Sequence, residues 1–493
     1  MRRRNIHDPF RRVIPLILAG SVAWGSCRAE TLGEAIALAY ESNPTLQAQR
    51  ASLRALDETY VQAGAGYRPT ATLQGTVTTD ANNNSGTFTR PLPGLNQPVV
   101  DGQSQTSGLA ISVTQPIYTG GRVAAQVDAA HASILAGRET LRGTEETVLR
   151  YVINAYADVR RDQQIVVILE ADVKLLLTQR DESLARFEVG DITRTDLAQT
   201  DARVAASQSQ LSHARAQLAN SRAAYASIVG RNPENLAAEP PLARYLPGSL
   251  DKALDWAERN SPQISQADFT ERASAAKLAG AKAQTRPTLS FQATAGYSGG
   301  NSGLGIPFAN YSHDVTASAV ATIPIFTGGL TSSQIRQAAE NNNADRIGIE
   351  TARRQVLLTV AQAWNELSGA RASLADDEAQ VQAANAAYEG ARQEARVGLR
   401  STYDVLISEE NLSAAQLELL NARHDEYVSG ADLLAATGAL YAQDFAADTT
   451  IYDPKTNLDH VRRAWPWSPW DAAVSRIDAL GVPHLDAGPA PPP

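Results

Sequence analysis

The hexapeptide Pro116-Ile117-Tyr118-Thr119-Gly120-Gly121 returns almost unchanged as Pro324-Ile325-Phe326-Thr327-Gly328-Gly329. Before each copy, apolar and polar residues alternate with period two, a strand pattern. After each runs a stretch of about 65 residues without proline, rich in Ala, Gln, Arg and Glu, a helix pattern. Proline cannot donate to a ladder, so Pro116 and Pro324 predict strand ends. The pairs Gly120-Gly121 and Gly328-Gly329 let the backbone turn before the helix begins. At 1.5 Å per residue each helix is about 100 Å long. A strand feeding such a helix, twice in one chain, suits a body that reaches across a wide space better than a globular enzyme.

The duplication extends well beyond the junctions. Leu32 matches Leu250, Asn43-Pro44 matches Ser261-Pro262 and Arg68-Pro69 matches Arg286-Pro287, all 218 residues apart. From Pro116/Pro324 onward the separation is 208, and it holds through Gly190/Gly398, Asp196/Asp404 and Gly230/Gly438. The lost residues fall between the first pair of strands. There Asn82-Asn83-Asn84 through Gly102 is polar and rich in Gly, Pro and Asn, which predicts a surface loop. Each half therefore reads helix, strand, loop, strand, long helix, turn, helix. The 493 residues form one elongated body of two similar halves rather than several unlike domains.

The strands carry the alternation of a membrane barrel. Ala71, Leu73, Gly75 and Val77 alternate with Thr70, Thr72, Gln74 and Thr76, and Leu109, Ile111 and Val113 with Ala110, Ser112 and Thr114. Leu289, Phe291, Ala293, Ala295 and Tyr297 repeat the pattern, followed by Val315, Ala317, Ala319, Ala321 and Ile323. About ten residues is the length a tilted strand needs to cross a bilayer, and Tyr67, Tyr118, Tyr297, Tyr311 and Phe326 lie at strand ends, where interfacial aromatics belong. A soluble sandwich would alternate in the same way. Four strands cannot close a bacterial barrel, which starts at about eight. If these strands span a membrane, several chains share one barrel.

A seam runs along each long helix. Val127, Ile134, Leu141 and Val148 are spaced by seven; after a jump of four the series continues at Val152, Val159, Val166 and Val173. Its counterpart is Ile335, Asn342, Ile349, Val356, Val360, Leu367, Leu374 and Val381, polar only at Asn342. Such a series gives left-handed packing, and a four-residue insertion locally unwinds it, which suits staves of a cylinder. An ordinary antiparallel coiled coil would show the same seam.

Each long helix ends at a turn with a glycine and an acid, Val189-Gly190-Asp191 through Asp196-Leu197 and Val397-Gly398-Leu399-Arg400 through Asp404-Val405-Leu406. Gly190 and Gly398 sit where a helix C-terminus takes a left-handed residue. Thr193, Thr195, Ser401 and Thr402 are candidate N-caps, which places Asp196 and Asp404 in or near a first turn, favourable to the helix dipole. The same acids could instead line the narrow end of a tube assembled from several chains.

These duplicated junctions and turns, over about residues 30 to 445, resemble the TolC family of outer-membrane efflux and secretion ducts. The resemblance implies a homotrimer with a twelve-stranded β-barrel in the outer membrane, four strands per chain, continuing into an α-helical tunnel through the periplasm. It implies docking to an inner-membrane pump through a periplasmic adaptor protein. It also implies a periplasmic entrance held closed by polar residues. Thr195 and Asp196 match the family's Thr-Asp in the first turn, and Arg400 and Asp404 match its Arg and first Asp in the second. Ile407 stands where a second acid is expected, and Ala395 where a tyrosine is expected.

The remaining segments complete the organisation. Five arginines precede the apolar stretch Val13 to Gly25, and Cys27-Arg28-Ala29 ends in a small residue, so residues 1–29 are expected to be an export signal. A lipoprotein reading would lipidate Cys27, but Trp24 stands where leucine belongs. After Ala29 no apolar run reaches the ~18 residues of a transmembrane helix. The expected units are 1–29 signal, 30–240 first repeat, 241–445 second repeat and 446–493 a periplasmic tail, partly disordered, with Trp465, Trp467 and Trp470 among prolines. The lone Cys27 excludes a disulfide within the chain, and the histidines lack metal-site spacing. With no Walker loop and no GxSxG, neither an enzyme nor a cofactor is expected; Gly299 to Gly303 reads as an extracellular loop. The net charge of −9, with acids and bases interspersed, gives no sign of nucleic acid. The expected function is an exit duct for efflux or type I secretion, passing substrates from an inner-membrane pump. An exported coiled-coil adaptor is the alternative, though it would not need four amphipathic strands.

Overall fold

The computed structural model describes residues 29–82, 102–302, 311–446, 450–464 and 470–481. The expected export signal, apart from Ala29, and nearly all of the Asn82–Gly102 loop lie outside these residues. The first repeat begins with α1 (Leu32–Ser42) and α2 (Pro44–Gly64). A short 3-10 turn leads to β1 (Thr70–Asn82) and β2 (Gly102–Tyr118), followed by α3 (Arg122–Glu188) and α4 (Arg194–Val229). The second repeat supplies α5 (Leu250–Asn260), α6 (Pro262–Ala283), β3 (Thr288–Ser302), β4 (Tyr311–Thr322), α7 (Leu330–Arg396) and α8 (Thr402–Ala436). Three short helices follow: α9 (Ala442–Phe445), α10 (Pro454–Ala464) and α11 (Asp471–Ala479).

The four strands form one antiparallel sheet in the order β1-β2-β3-β4. Its register joins the two repeats: Leu73 pairs with Ile111, Ile111 with Ala295, and Ala295 with Val315. Directly paired residues lie on the same face, so the alternating apolar series becomes one continuous apolar face across all four strands. Leu73, Val77, Leu109, Ile111 and Val315 on that face are exposed in the single chain. Such a row is stable against lipid and costly against water.

The structure corrects two strand boundaries. Gly299 to Ser302 belong to β3, not to a loop, because β2 is long enough to give them partners. Pro116 does not end its strand: β2 runs to Tyr118 through a register shift between Pro116 and Tyr118, with β3 alongside. β4 ends at Thr322, two residues before Pro324, where among the described residues no strand lies on its outer side. The same proline thus ends an edge strand but is absorbed as a bulge in a central one.

Both strand-to-helix junctions turn on left-handed glycines. Gly120 and Gly121 have φ of 72° and 86°, and Gly328 and Gly329 have 63° and 85°. The helices that follow are 67 residues each. The first seam is buried at Ile134, Leu141, Val148, Val152, Val159 and Val166. The second is buried at Asn342, Val356, Val360 and Leu367. Asn342, the polar exception, donates from Nδ2 to Glu271 Oε1 at 3.0 Å and Ser274 Oγ at 3.1 Å on α6, so its amide is satisfied where the apolar residue is missing.

The largest core lies midway, where α1 packs on α3, α4 and α9 and α8 packs on α3, around Leu32, Ile36, Leu46, Val152, Tyr156, Tyr225 and Leu434. Arg142 on α3 ties this region to the bends, donating to the carbonyls of Asn260 and Gly438. It also lies 3.6 Å from the buried Glu146. Burial, opposed by Arg142 and reinforced by Glu139 and Glu145, pushes Glu146 up to about 8. A carboxyl whose pKa is higher folded than unfolded adds stability at low pH and loses it as pH rises through the folded value. Thermal unfolding should therefore move to lower temperature between about pH 5 and 9. Glu146→Gln should flatten that slope; an unchanged slope would place the titration elsewhere.

The C-terminal segment is more structured than its lack of periodicity predicts. α10 packs on α2, and Asn457 donates to Asp57 at 2.7 Å. α11 packs on α3 and the end of β2. Trp465 and Trp467 lie outside the described residues.

Candidate functional site

The far ends of the long helices are built alike. α3 closes with Gly190 at φ 81°, whose N–H donates to Phe187 O at 2.9 Å, while Asp191 N donates to Arg186 O at 2.9 Å. α7 closes with Gly398 at φ 78°, Gly398 N to Ala395 O at 3.1 Å and Leu399 N to Glu394 O at 2.9 Å. Both are paired 6→1 and 5→2 closures that need a left-handed residue at the glycine.

The return helices start with capping boxes. Thr193 N donates to Asp196 Oδ2 at 2.9 Å and Asp196 N returns to Thr193 Oγ1 at 3.2 Å. Ser401 and Asp404 repeat this at 3.1 and 3.2 Å. Of the four candidate caps, Thr193 and Ser401 cap; Thr195 and Thr402 fall inside the first helical turns. Hydrogen bonds from Thr193 hold the Asp196 carboxyl below its usual range, and those from Ser401 do the same for Asp404. Both acids stay charged at the tip.

Arg400 precedes Ser401, the cap of α8, and so lies outside the helix that carries Asp404. Its Nε pairs with Glu394 Oε2 at 2.5 Å, across the turn. In the first turn Arg186 pairs with Asp191 at 2.7 Å. Each arginine thus braces its own hairpin, and Arg400 acts on Asp404 only through its nearby charge.

The two hairpins meet just above the turns, through groups that apolar periodicity could not reveal. Leu176, Val204 and Leu406 form a small core between α3, α4 and α8. Arg203 on α4 reaches Glu409 at 3.7 Å and Glu410 at 3.0 Å on α8. Glu409 is buried and hydrogen-bonded to Asp172 on α3, whose Oδ2 accepts from Ser207 Oγ at 2.5 Å. Burial, then the hydrogen bond and charge of Asp172, raise the Glu409 carboxyl. A cleft of about 210 Å³ opens beside them, lined by Asp172, Leu175, Tyr388, Glu409 and Ser413. Among the described residues no cluster of His, Cys, Asp or Glu could hold a metal ion, and no helix is long and apolar enough to cross a membrane.

The outer membrane efflux protein family model matches residues 35–231 and again 253–439, one match for each repeat. The chain belongs to the outer membrane efflux protein family. Among its relatives, the outer membrane efflux protein BepC of Brucella suis biovar 1 is 31% identical over 91% of this chain and 94% of its own. The outer membrane protein TolC of Escherichia coli is 24% identical over 93% of each chain. In structure, the Campylobacter jejuni CmeC outer membrane channel superposes with a TM-score of 0.71 over 94% of this chain and 98% of that one, at 14% identity. This efflux protein resides in the outer membrane, extends into the periplasm and is an exit duct for efflux or type I secretion. Its four strands are one chain's share of a barrel, and its long helices are staves of the tunnel below.

Proposed function

We propose that three copies close a twelve-stranded barrel, and that their tips form a gated entrance fed by an inner-membrane pump through a periplasmic adaptor protein. The observation that carries this reading is the open sheet. Among the described residues β1 and β4 are edges with no further strand beside them, and four strands are too few to close. Beside β4, Ile323, Ile325, Phe326 and Leu330 are exposed, an apolar edge suited to another copy. The resemblance to the TolC family favours three copies over two or four.

In such an assembly Thr195, Asp196, Arg400 and Asp404 each occur three times around a narrow opening. Clustered carboxylates there attract cations and repel one another. Arg400, braced on Glu394, supplies compensating charge and fixes the turn. Particle mass in detergent should equal three chains. In planar bilayers Arg400→Ala should raise single-channel conductance. Asp404→Asn keeps an oxygen to accept from the Ser401 N–H and removes the charge, so it should weaken cation selectivity and block by multivalent cations. Unchanged recordings from both variants would leave these residues as helix-end stabilisers only.

A further inference from the structure

The last helix, α11, has two unlike sides. Val474 and Asp478 face inward: Val474 packs on Tyr67 and Val123, and Asp478 binds the first junction. Beside that buried stripe, Trp470, Ala473, Ile477 and Leu480 recur at intervals of three, four and three, which puts them on one helical face. All four are exposed in the chain, Trp470 at 54%, Ile477 at 44% and Leu480 at 87%. Arg476 lies further round, also exposed.

The register of β2 shows which way this face looks. Because of the shift at Pro116, Tyr118 pairs with Leu289, and Leu289 belongs to the apolar face that includes Phe291, Val113 and Ile111. Tyr118 therefore points to the lipid side of the sheet. The end of α11 abuts it: a Cβ on Gly481 would lie 2.7 Å from Tyr118 Oη and 2.9 Å from the Gly120 carbonyl carbon. Only glycine permits that approach. The exposed stripe of α11 is thus continuous with the lipid-facing surface, at the level where the barrel meets the periplasm. Tyr118 is on a central strand, so the site lies inward of the open β1 edge.

We propose that α11 is an interfacial anchor whose Trp470, Ile477 and Leu480 rest in the periplasmic leaflet of the outer membrane. Tryptophan and aliphatic side chains on one face, with a cation nearby, suit the boundary between acyl chains and phospholipid headgroups. The anchor couples lipid to the junction, because the same helix carries Asp478.

Site-directed spin labelling tests this on the full-length assembled protein in phospholipid vesicles. Trp470→Cys, Ile477→Cys and Leu480→Cys are made singly in a Cys27→Ser background and given a nitroxide, with exposed Arg463→Cys on α10 as the aqueous reference. Labels on α11 should collide with oxygen more than with a water-soluble nickel chelate, several-fold in ratio above the reference. Lipids carrying a relaxing group in the headgroup should broaden their spectra. Nickel accessibility equal to the reference would overturn the proposal. So would immobile labels shielded from both reagents, which would place a second copy of the chain on this face.

Discussion

Val152→Asp is expected to abolish assembled channel in the outer membrane. Val152 is fully buried, among Leu32, Ile36, Tyr156 and Leu434, where α1, α3 and α8 meet. A carboxylate there loses its water and gains no free cation; the arginines on either side of it along α3 are already paired, Arg142 with Glu139 and Glu146, Arg150 with Asp432 and Arg160 with Glu239. An unpaired buried charge costs roughly 3–5 kcal/mol, a large share of the stability of an ordinary domain. Val360→Asp should act likewise, because Val360 occupies the matching place in the second repeat, packed with Val356, Ala363, Leu367 and Leu433. Quantifying the protein in outer-membrane fractions, with export activity alongside, checks both. Normal amounts and normal export would mean that the seam faces water and that the helices do not pack through it.

Asp478→Ala should weaken the hinge between barrel and tunnel almost as severely. Asp478 is fully buried, and its carboxylate gathers the start of α3. Oδ1 accepts from Thr119 N at 2.7 Å and Gly121 N at 3.1 Å, while Oδ2 accepts from Thr119 Oγ1 at 2.9 Å and Ala124 N at 3.3 Å. An acceptor at a helix N-terminus satisfies donors that the helix leaves open and sits favourably on its dipole. Deleting it strands several buried donors, each costing about 1–3 kcal/mol unless water enters. The assembled protein should lose heat resistance and become sensitive to proteolysis near Thr119. Asp478→Asn should recover part of the loss, since one oxygen still accepts. Wild-type melting and proteolysis for the alanine variant would show that α11 merely lies against the junction.

The second junction makes a useful contrast. Thr327, Gly328 and Gly329 repeat the first in sequence and backbone, yet among the described residues no helix covers them, and Ile325 and Phe326 are almost fully exposed. Two copies of one hexapeptide therefore have different surroundings, one buried under the C-terminal segment and one exposed.

The sequence by itself determined every feature whose cause lies within a few neighbouring residues. Alternation fixed the strands because successive side chains leave a strand on opposite faces. The glycine pairs fixed the junctions and Gly190 and Gly398 the turns, because only glycine takes a positive φ without steric cost. The seven-residue series fixed which stripe of α3 and α7 is buried, and the 208-residue offset carried each of these readings from one half to the other. Tertiary structure decided what depends on partners far along the chain. Asp478 meets Thr119 across 359 residues. Asp57 meets Asn457 across 400. Glu409 is buried against Asp172. Pro116 lies inside a strand because β3 happens to flank it, whereas Pro324 follows an edge. A buried acid and an exposed one look alike in sequence; burial, and the nearest cation or N–H group, exist only once the helices are packed.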